Sequence, residues 1–209
     1  MISLAFVITC LLIIVAPGPS LAVMLTQSLR SGRAAGLATV AGNTLGLVVW
    51  ATASAFGLTA LVRTSEIAFV VLKVAGAVYL CWLGIQSLLR SRREPSQLAA
   101  AELTARRGPM ASLRAGFMTN VTNPKAAVLY LALLPQFLPP DGNPLLDTFV
   151  LAAVQMALSA SYYTLVVLAI GLARRVLSRP VVRRWMDRVS GLVLVGLGIR
   201  MVTLSRAAL

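Results

Sequence analysis

The chain has 209 residues, 58% of them hydrophobic and only 12% charged, with a formal net charge of +13 and no histidine. Soluble domains run about 45–50% apolar and ~25% charged, and a water-facing globule built from this composition has too little polar surface to cover itself. The missing histidine removes the commonest metal ligand and the commonest general base.

Six apolar stretches are predicted as membrane-crossing helices, at residues 2–29, 34–62, 67–89, 115–138, 148–172 and 189–204. A crossing takes ~20 apolar residues, with ~17–25 the usual range. The fold class expected is all-α integral membrane, one transmembrane domain over residues 1–209. Repeat one covers about 1–90, a basic loop about 90–114, and repeat two about 115–209.

The first stretch is too long to cross straight, and Pro17-Gly18-Pro19 lies midway along it. Two prolines remove two backbone donors and clash with the preceding turn, so an unwound turn or kink is expected there. No Lys or Arg precedes the stretch and no small-residue cleavage pattern follows it, which reads as a retained first helix. In the second stretch, Gly42-Asn43-Thr44 and Gly46 combine an amide and a hydroxyl with a small-xxx-small packing pattern. In the third, Lys73 near the outer end reads as an interfacial anchor. Cys10 and Cys81 both fall inside apolar helices, with no disulfide framework or metal spacing.

The middle loop holds Pro95, Ser96, Gln97 and Gly108-Pro109 and reads as a mobile or partly helical connector. The fourth stretch carries the most informative segment, Asn120-Val121-Thr122-Asn123-Pro124-Lys125. From Arg114 to Lys125 is 11 residues, or ~16 Å of helix, near mid-membrane. A Lys there costs ~2.5–3.5 kcal/mol on insertion scales and marks a functional site by default. Its side chain is too short to snorkel past Pro135, so it needs partners or water inside the bundle. Pro135-Gln136 reads as a second break or lip.

Gln155, Ser159, Ser161, Tyr162 and Tyr163 give the fifth stretch a polar stripe. The sixth is short, and a start near Trp185 is compatible with it. No Asp or Glu is expected within the hydrocarbon; Asp147 sits at the outer mouth of the fifth stretch. A central Lys, two half-helix N-termini and no carboxylate describe a cavity that attracts anionic groups.

The charges alternate from one loop to the next. Arg30, Arg33, Arg90, Arg92, Arg93, Arg106, Arg107, Arg114, Arg174, Arg175, Arg179, Arg183, Arg184 and Arg188 fall on one side. Arg63, Glu66, Asp141, Asp147 and Arg206 fall on the other. Positive-inside logic makes the basic side cytoplasmic and puts both termini outside. Anionic lipid contact, and not nucleic acid, accounts for the arginines. Three spans per half is an odd number, so the halves enter from opposite sides as an inverted repeat. Lys73-Val74-Ala75-Gly76 matches Arg188-Val189-Ser190-Gly191, and Leu83-Gly84-Ile85 matches Leu197-Gly198-Ile199. The proline breaks at 17–19 and 123–125 occupy equivalent helices one and four.

These motifs resemble the LysE/RhtB family of bacterial amino-acid exporters over nearly the full length. The carriers are Pro17-Gly18-Pro19 with Gly32-Arg33 and Gly36, then Gly42 and Gly46, and the run Leu72 to Leu80 with Leu83-Gly84. Most specific is Asn120-x-x-Asn123-Pro124-Lys125 followed by Pro135-Gln136-Phe137 on one helix. The resemblance implies a six-helix exporter of amino acids or close analogues, driven by proton or membrane potential. One departure is the fifth helix, where many members carry a carboxylate and this chain has Gln155. That argues against lysine or arginine as cargo.

The function expected is therefore antiport-type efflux of neutral amino acids or their derivatives across the bacterial inner membrane, by alternating access of two three-helix halves. The expected binding residues are Pro17, Gly18, Pro19, Asn43, Asn120, Asn123, Pro124, Lys125, Gln136, Gln155 and Tyr162, with Lys125 also the coupling candidate. No cofactor and no metal are expected. Metal-ion efflux needs acidic, Cys or His ligands in the membrane that are missing from this pattern. Intramembrane catalysis has only Ser20 with Lys125 to offer. A non-transporting scaffold would act through the basic loops, and so lean a carrier leaves room for a homodimer.

Overall fold

The computed structural model describes residues 2–16, 18–64, 66–92, 108–139, 142–170, 172 and 179–203. Pro17, the connector 93–107, Asp141, Arg174, Arg175 and Arg206 lie outside these, as do the side chains of Arg63, Glu66, Lys73, Arg90, Arg92 and Arg183. The described residues form helices and no strand.

The first stretch is two helices, α1 (Leu4–Val15) and α2 (Pro19–Ser31), whose axes lie 53° apart. Ser3 starts α1 by accepting from the Phe6 N–H at 3.2 Å, the usual N-cap device. Pro19 opens α2, where its missing N–H costs nothing. Gly32 ends α2 at φ +88°, a left-handed turn suited to glycine, and the chain passes at once into α3 (Arg33–Thr64). Next comes α4 (Glu66–Arg92).

The fourth stretch begins earlier than its hydropathy suggests, because α5 (Pro109–Val121) takes in the end of the connector. It breaks at Thr122-Asn123, restarts as the short α6 (Pro124–Val128), widens to a π turn over Leu129–Leu133 and tightens to 3₁₀ over Leu134–Phe137. Pro135 accounts for the irregular end, since it cannot donate to the turn before it. The last helices are α7 (Pro144–Leu168), capped by Asn143, and α8 (Pro180–Thr203). The early start of α8 corrects the expected 189–204 and places Asp187 two turns inside a helix.

Within α3 and α7, segments Arg33–Gly57 and Pro144–Leu168 are long and apolar enough to cross a bilayer, and α1 with α2 makes a third if the bent pair is one span. α4 contributes a shorter apolar run, Val74–Leu89. The exterior matches such a setting. Leu4, Ile67, Val78, Leu165 and Leu192 point outward, while Thr39, Asn43, Ser112, Asn120 and Gln155 are buried. That inside-out distribution suits acyl chains as solvent.

Close crossings fix the packing. A Cβ on Gly42 would land on the Leu113 carbonyl, and one on Gly116 on the Thr39 carbonyl, so the α3 and α5 backbones touch. Residue numbers rise together across this contact, hence the helices run parallel. Gly84 and Gly191 meet backbone to backbone between α4 and α8, with Gly198 against the Ala77 carbonyl and Ser87 Oγ donating to the Asp187 carbonyl at 2.9 Å. Here the numbers run opposite ways, and the pair is antiparallel. α4 and α8 pack chiefly on each other, whereas α2, α3, α5 and α7 interlock and α1 touches both α7 and α8. The α4/α8 pair forms an arm whose Ala77, Leu80 and Leu194 join the same hydrophobic core as the other helices. The division expected above, between the first and second three-helix halves, cuts across the tightest contacts.

Candidate functional site

Both interrupted helices break beside each other. Lys125 is half-buried, and its Nζ donates to the Ala16 carbonyl at 2.9 Å. Ala16 closes α1, so its carbonyl has no helical donor ahead of it, and the lysine supplies one. Across the same junction Asn123 Nδ2 donates to Ser20 Oγ at 3.4 Å. Asn123 Oδ1 meanwhile accepts from the Lys125 N–H at 3.1 Å, capping α6. One asparagine thus starts the lysine's helix and ties it to α2.

A second amide pair lies one turn earlier. Asn120 Nδ2 donates to Asn43 Oδ1 at 3.0 Å, and the Asn120 carbonyl accepts from the Trp50 indole at 3.2 Å. Gly46 leaves the room Asn120 needs, since a Cβ there would strike its side chain. Asn120 Oδ1 is buried against Gly46 with no hydrogen-bond partner. An Asn43→Ala substitution leaves the Asn120 amide without its acceptor, and should lower stability by ~1–2 kcal/mol, read as a drop in thermal midpoint in detergent.

These groups line a cavity of about 40 Å³ with Gly18, Ser20, Gln155, Ser159 and Tyr163. That is room for about three waters and not for an amino acid. Gln155 is held by the Tyr130 hydroxyl, which donates to its Oε1. A larger cavity of about 250 Å³ lies on the other side of Lys125, between the two breaks and the arm. Gly18, Pro19, Asn123, Pro124 and Lys125 form its core wall; Tyr79, Trp82, Gln86, Ser87 and Asp187 belong to its arm wall.

Of the expected binding residues, Gly18, Asn43, Asn120, Asn123, Lys125 and Gln155 meet at the inner cavity, and Pro19 and Pro124 border the outer one. Gln136 and Tyr162 line neither: Gln136 Nε2 donates to the Ala132 carbonyl at 2.9 Å, and Tyr162 lies against Tyr163. Pro17 is outside the described residues. The buried stripe on α7 is Gln155, Ser159 and Tyr163, while Ser161 is exposed. Steps of four from Gln155 would have found it. Ser20 accepts from Asn123 and Lys125 donates to the Ala16 carbonyl, so the two are not hydrogen-bonded as a nucleophile–base pair. A carboxylate that the sequence pattern leaves in a basic loop lines the outer cavity. Asp187 shares the outer cavity with Lys125; flanked by arginines, it reads as loop until α8 is known to start at Pro180.

An apolar-sheathed helical protein with a lysine held among amides between two broken helices is a polytopic membrane protein with a polar centre. The model of the LysE type translocator family matches residues 11–205, and the chain belongs to that family. Among its relatives are the homoserine/homoserine lactone efflux protein of Salmonella typhimurium, 33% identical over 77% of this chain and 78% of that one. An uncharacterized membrane protein of Vibrio cholerae is 30% identical over 96% of each. The leucine efflux protein of Klebsiella pneumoniae is 28% identical over 96% of this chain and 94% of that one. No solved structure matches the chain.

Proposed function

We propose that this protein exports neutral amino acids or close derivatives across the bacterial cytoplasmic membrane, driven by proton or membrane potential, with both termini outside. The observation that carries the reading is Lys125, tied to the Ala16 carbonyl where both breaks meet. A cation there, beside the start of α2 and the start of α6, receives a carboxylate. Relatives that efflux leucine and homoserine supply the cargo class. The inner cavity is too small for such cargo, which leaves the outer cavity to hold it.

The same reading takes the chain as six spans in two inverted repeats. Helix directions support it, since α3 runs parallel to α5 and α4 antiparallel to α8, as alternating spans require. The arm supports it too. The sequence repeat equates Gly76 with Gly191 and Gly84 with Gly198, so the Gly84–Gly191 contact has an image between Gly198 and Gly76. Gly198 packs one residue away, on Ala77.

The test is export itself. Cells overproducing the chain are loaded with dipeptides that release leucine, homoserine or threonine, and the medium is assayed. At least one of these amino acids should accumulate outside several times faster than in cells without the protein. Equal rates for all three would refute the proposal.

A further inference from the structure

The outer cavity carries opposite charges on its two walls. Lys125 belongs to the core and Asp187 to the arm. At about 250 Å³ the space suits a molecule of amino-acid size. We infer that it is a clasp for zwitterions, in which Lys125 takes the carboxylate and Asp187 the ammonium of one free amino acid, so that cargo bridges core and arm. The inference rests on the exporter reading and adds its substrate class and a specificity residue.

Several features make Asp187 suited to this. Ser87 Oγ donates to its backbone carbonyl at 2.9 Å, fastening that turn of α8 to α4. The two helices then present their shared wall as one piece. Asp187 already makes an interaction of its own. A carboxylate nevertheless has about four lone-pair sites, so an ammonium can be added to what it holds. Gln86 and Ser87 supply further polar groups beside it, and Tyr79 and Trp82, with ring centroids 5.3 Å apart, give an aromatic face for the cargo's side chain.

The charges have a mechanical consequence. The arm meets the core through α1, α3, α6 and the π turn, more sparsely than α4 meets α8. Cargo shifts an arrangement only by binding one form better than the other. A zwitterion held at both ends favours the form with arm drawn onto core. A molecule with a carboxylate alone, or an ammonium alone, holds one wall and has no such preference.

The full-length protein in proteoliposomes tests this by competition against labelled leucine, homoserine or threonine, using whichever binds. The analogues are that amino acid's N-acetyl derivative, which lacks the ammonium, and its amide, which lacks the carboxylate. On the wild type each analogue should bind at least about tenfold more weakly than the parent. Asp187→Asn should weaken the parent about tenfold and leave the N-acetyl form within about twofold, while Asp187→Glu retains the parent. Equal wild-type binding of parent and N-acetyl form overturns the clasp, and so does an Asp187→Asn effect equal on both. Should Asp187→Asn fail to fold, the wild-type series decides alone. If none of the three amino acids binds, or if Lys125→Met binds the parent normally, the exporter site itself is wrong. If Lys125→Met loses binding while Asp187→Asn does not, only the clasp fails.

Discussion

Lys125→Met is expected to abolish export while leaving the protein folded in the membrane. Two terms of similar size govern its stability. At the mid-membrane depth expected from its sequence position, removing the charge relieves ~2.5–3.5 kcal/mol of insertion cost. Leaving the Ala16 carbonyl without its donor costs ~1–3 kcal/mol. These nearly cancel, and Met fills much of the same volume, so the thermal midpoint should stay close to wild type. Transport has no such compensation. A hydrogen bond to a charged group is worth ~1.5–3 kcal/mol, or about 10–100-fold in cargo affinity. Loss of the conformational response to cargo takes the rate lower still. Lys125→Arg keeps the charge but presents a wider, planar head and should retain only part of the rate. Efflux of leucine, homoserine and threonine from dipeptide-loaded cells measures both variants. Normal rates from Lys125→Met would remove the lysine from the mechanism.

Gly42→Val should act in the opposite way, removing the folded protein itself. The new side chain meets the Leu113 carbonyl and the Phe117 amide, which are backbone atoms and cannot rotate aside. α3 and α5 must separate, and the Asn43–Asn120 and Trp50–Asn120 hydrogen bonds lie along the same seam. Overpacking alone costs ~1–3 kcal/mol, and each interhelical hydrogen bond adds ~0.6–1.7 kcal/mol. The total is a large part of the ~5–15 kcal/mol that holds a typical protein together. Fluorescence-detected size exclusion should show a collapse in monodisperse yield. Gly57→Ala, whose Cβ would meet nothing within 4 Å, should leave the yield unchanged. Similar yields from both would mean that the α3–α5 crossing is looser than its geometry.

Some features of the site could be read one residue at a time. Pro19 and Pro124 each open a helix, as their missing donors require. Lys125 drew attention because a charge in hydrocarbon needs a reason, and its partner is the Ala16 carbonyl released by the other break. Gln136 misled for a related reason. A polar side chain after a proline looks like a binding group, yet it satisfies the Ala132 carbonyl that Pro135 helps to disturb. Tyr162 misled through its neighbour, since one step along a helix turns the side chain by ~100°. Tyr163 took the inward position.

Asp187 was hidden by local charge. Arg183, Arg184 and Arg188 around it lower the hydropathy enough to push the apparent span start to residue 189. Only the packing of α8 on α4 places it within a helix and along a cavity.

From sequence alone came the bilayer as solvent, the two interruptions and the lysine beside one of them, because hydropathy, a proline's absent donor and a charge among apolar residues are local properties. Tertiary structure alone decided which carbonyl the lysine binds, that α4 and α8 pack chiefly on each other, and that Asp187 lines a cavity with the lysine. Those outcomes depend on glycine crossings between positions as distant as 42 and 113, or 84 and 191. No periodicity along a single helix records which other backbone will come near enough to touch it.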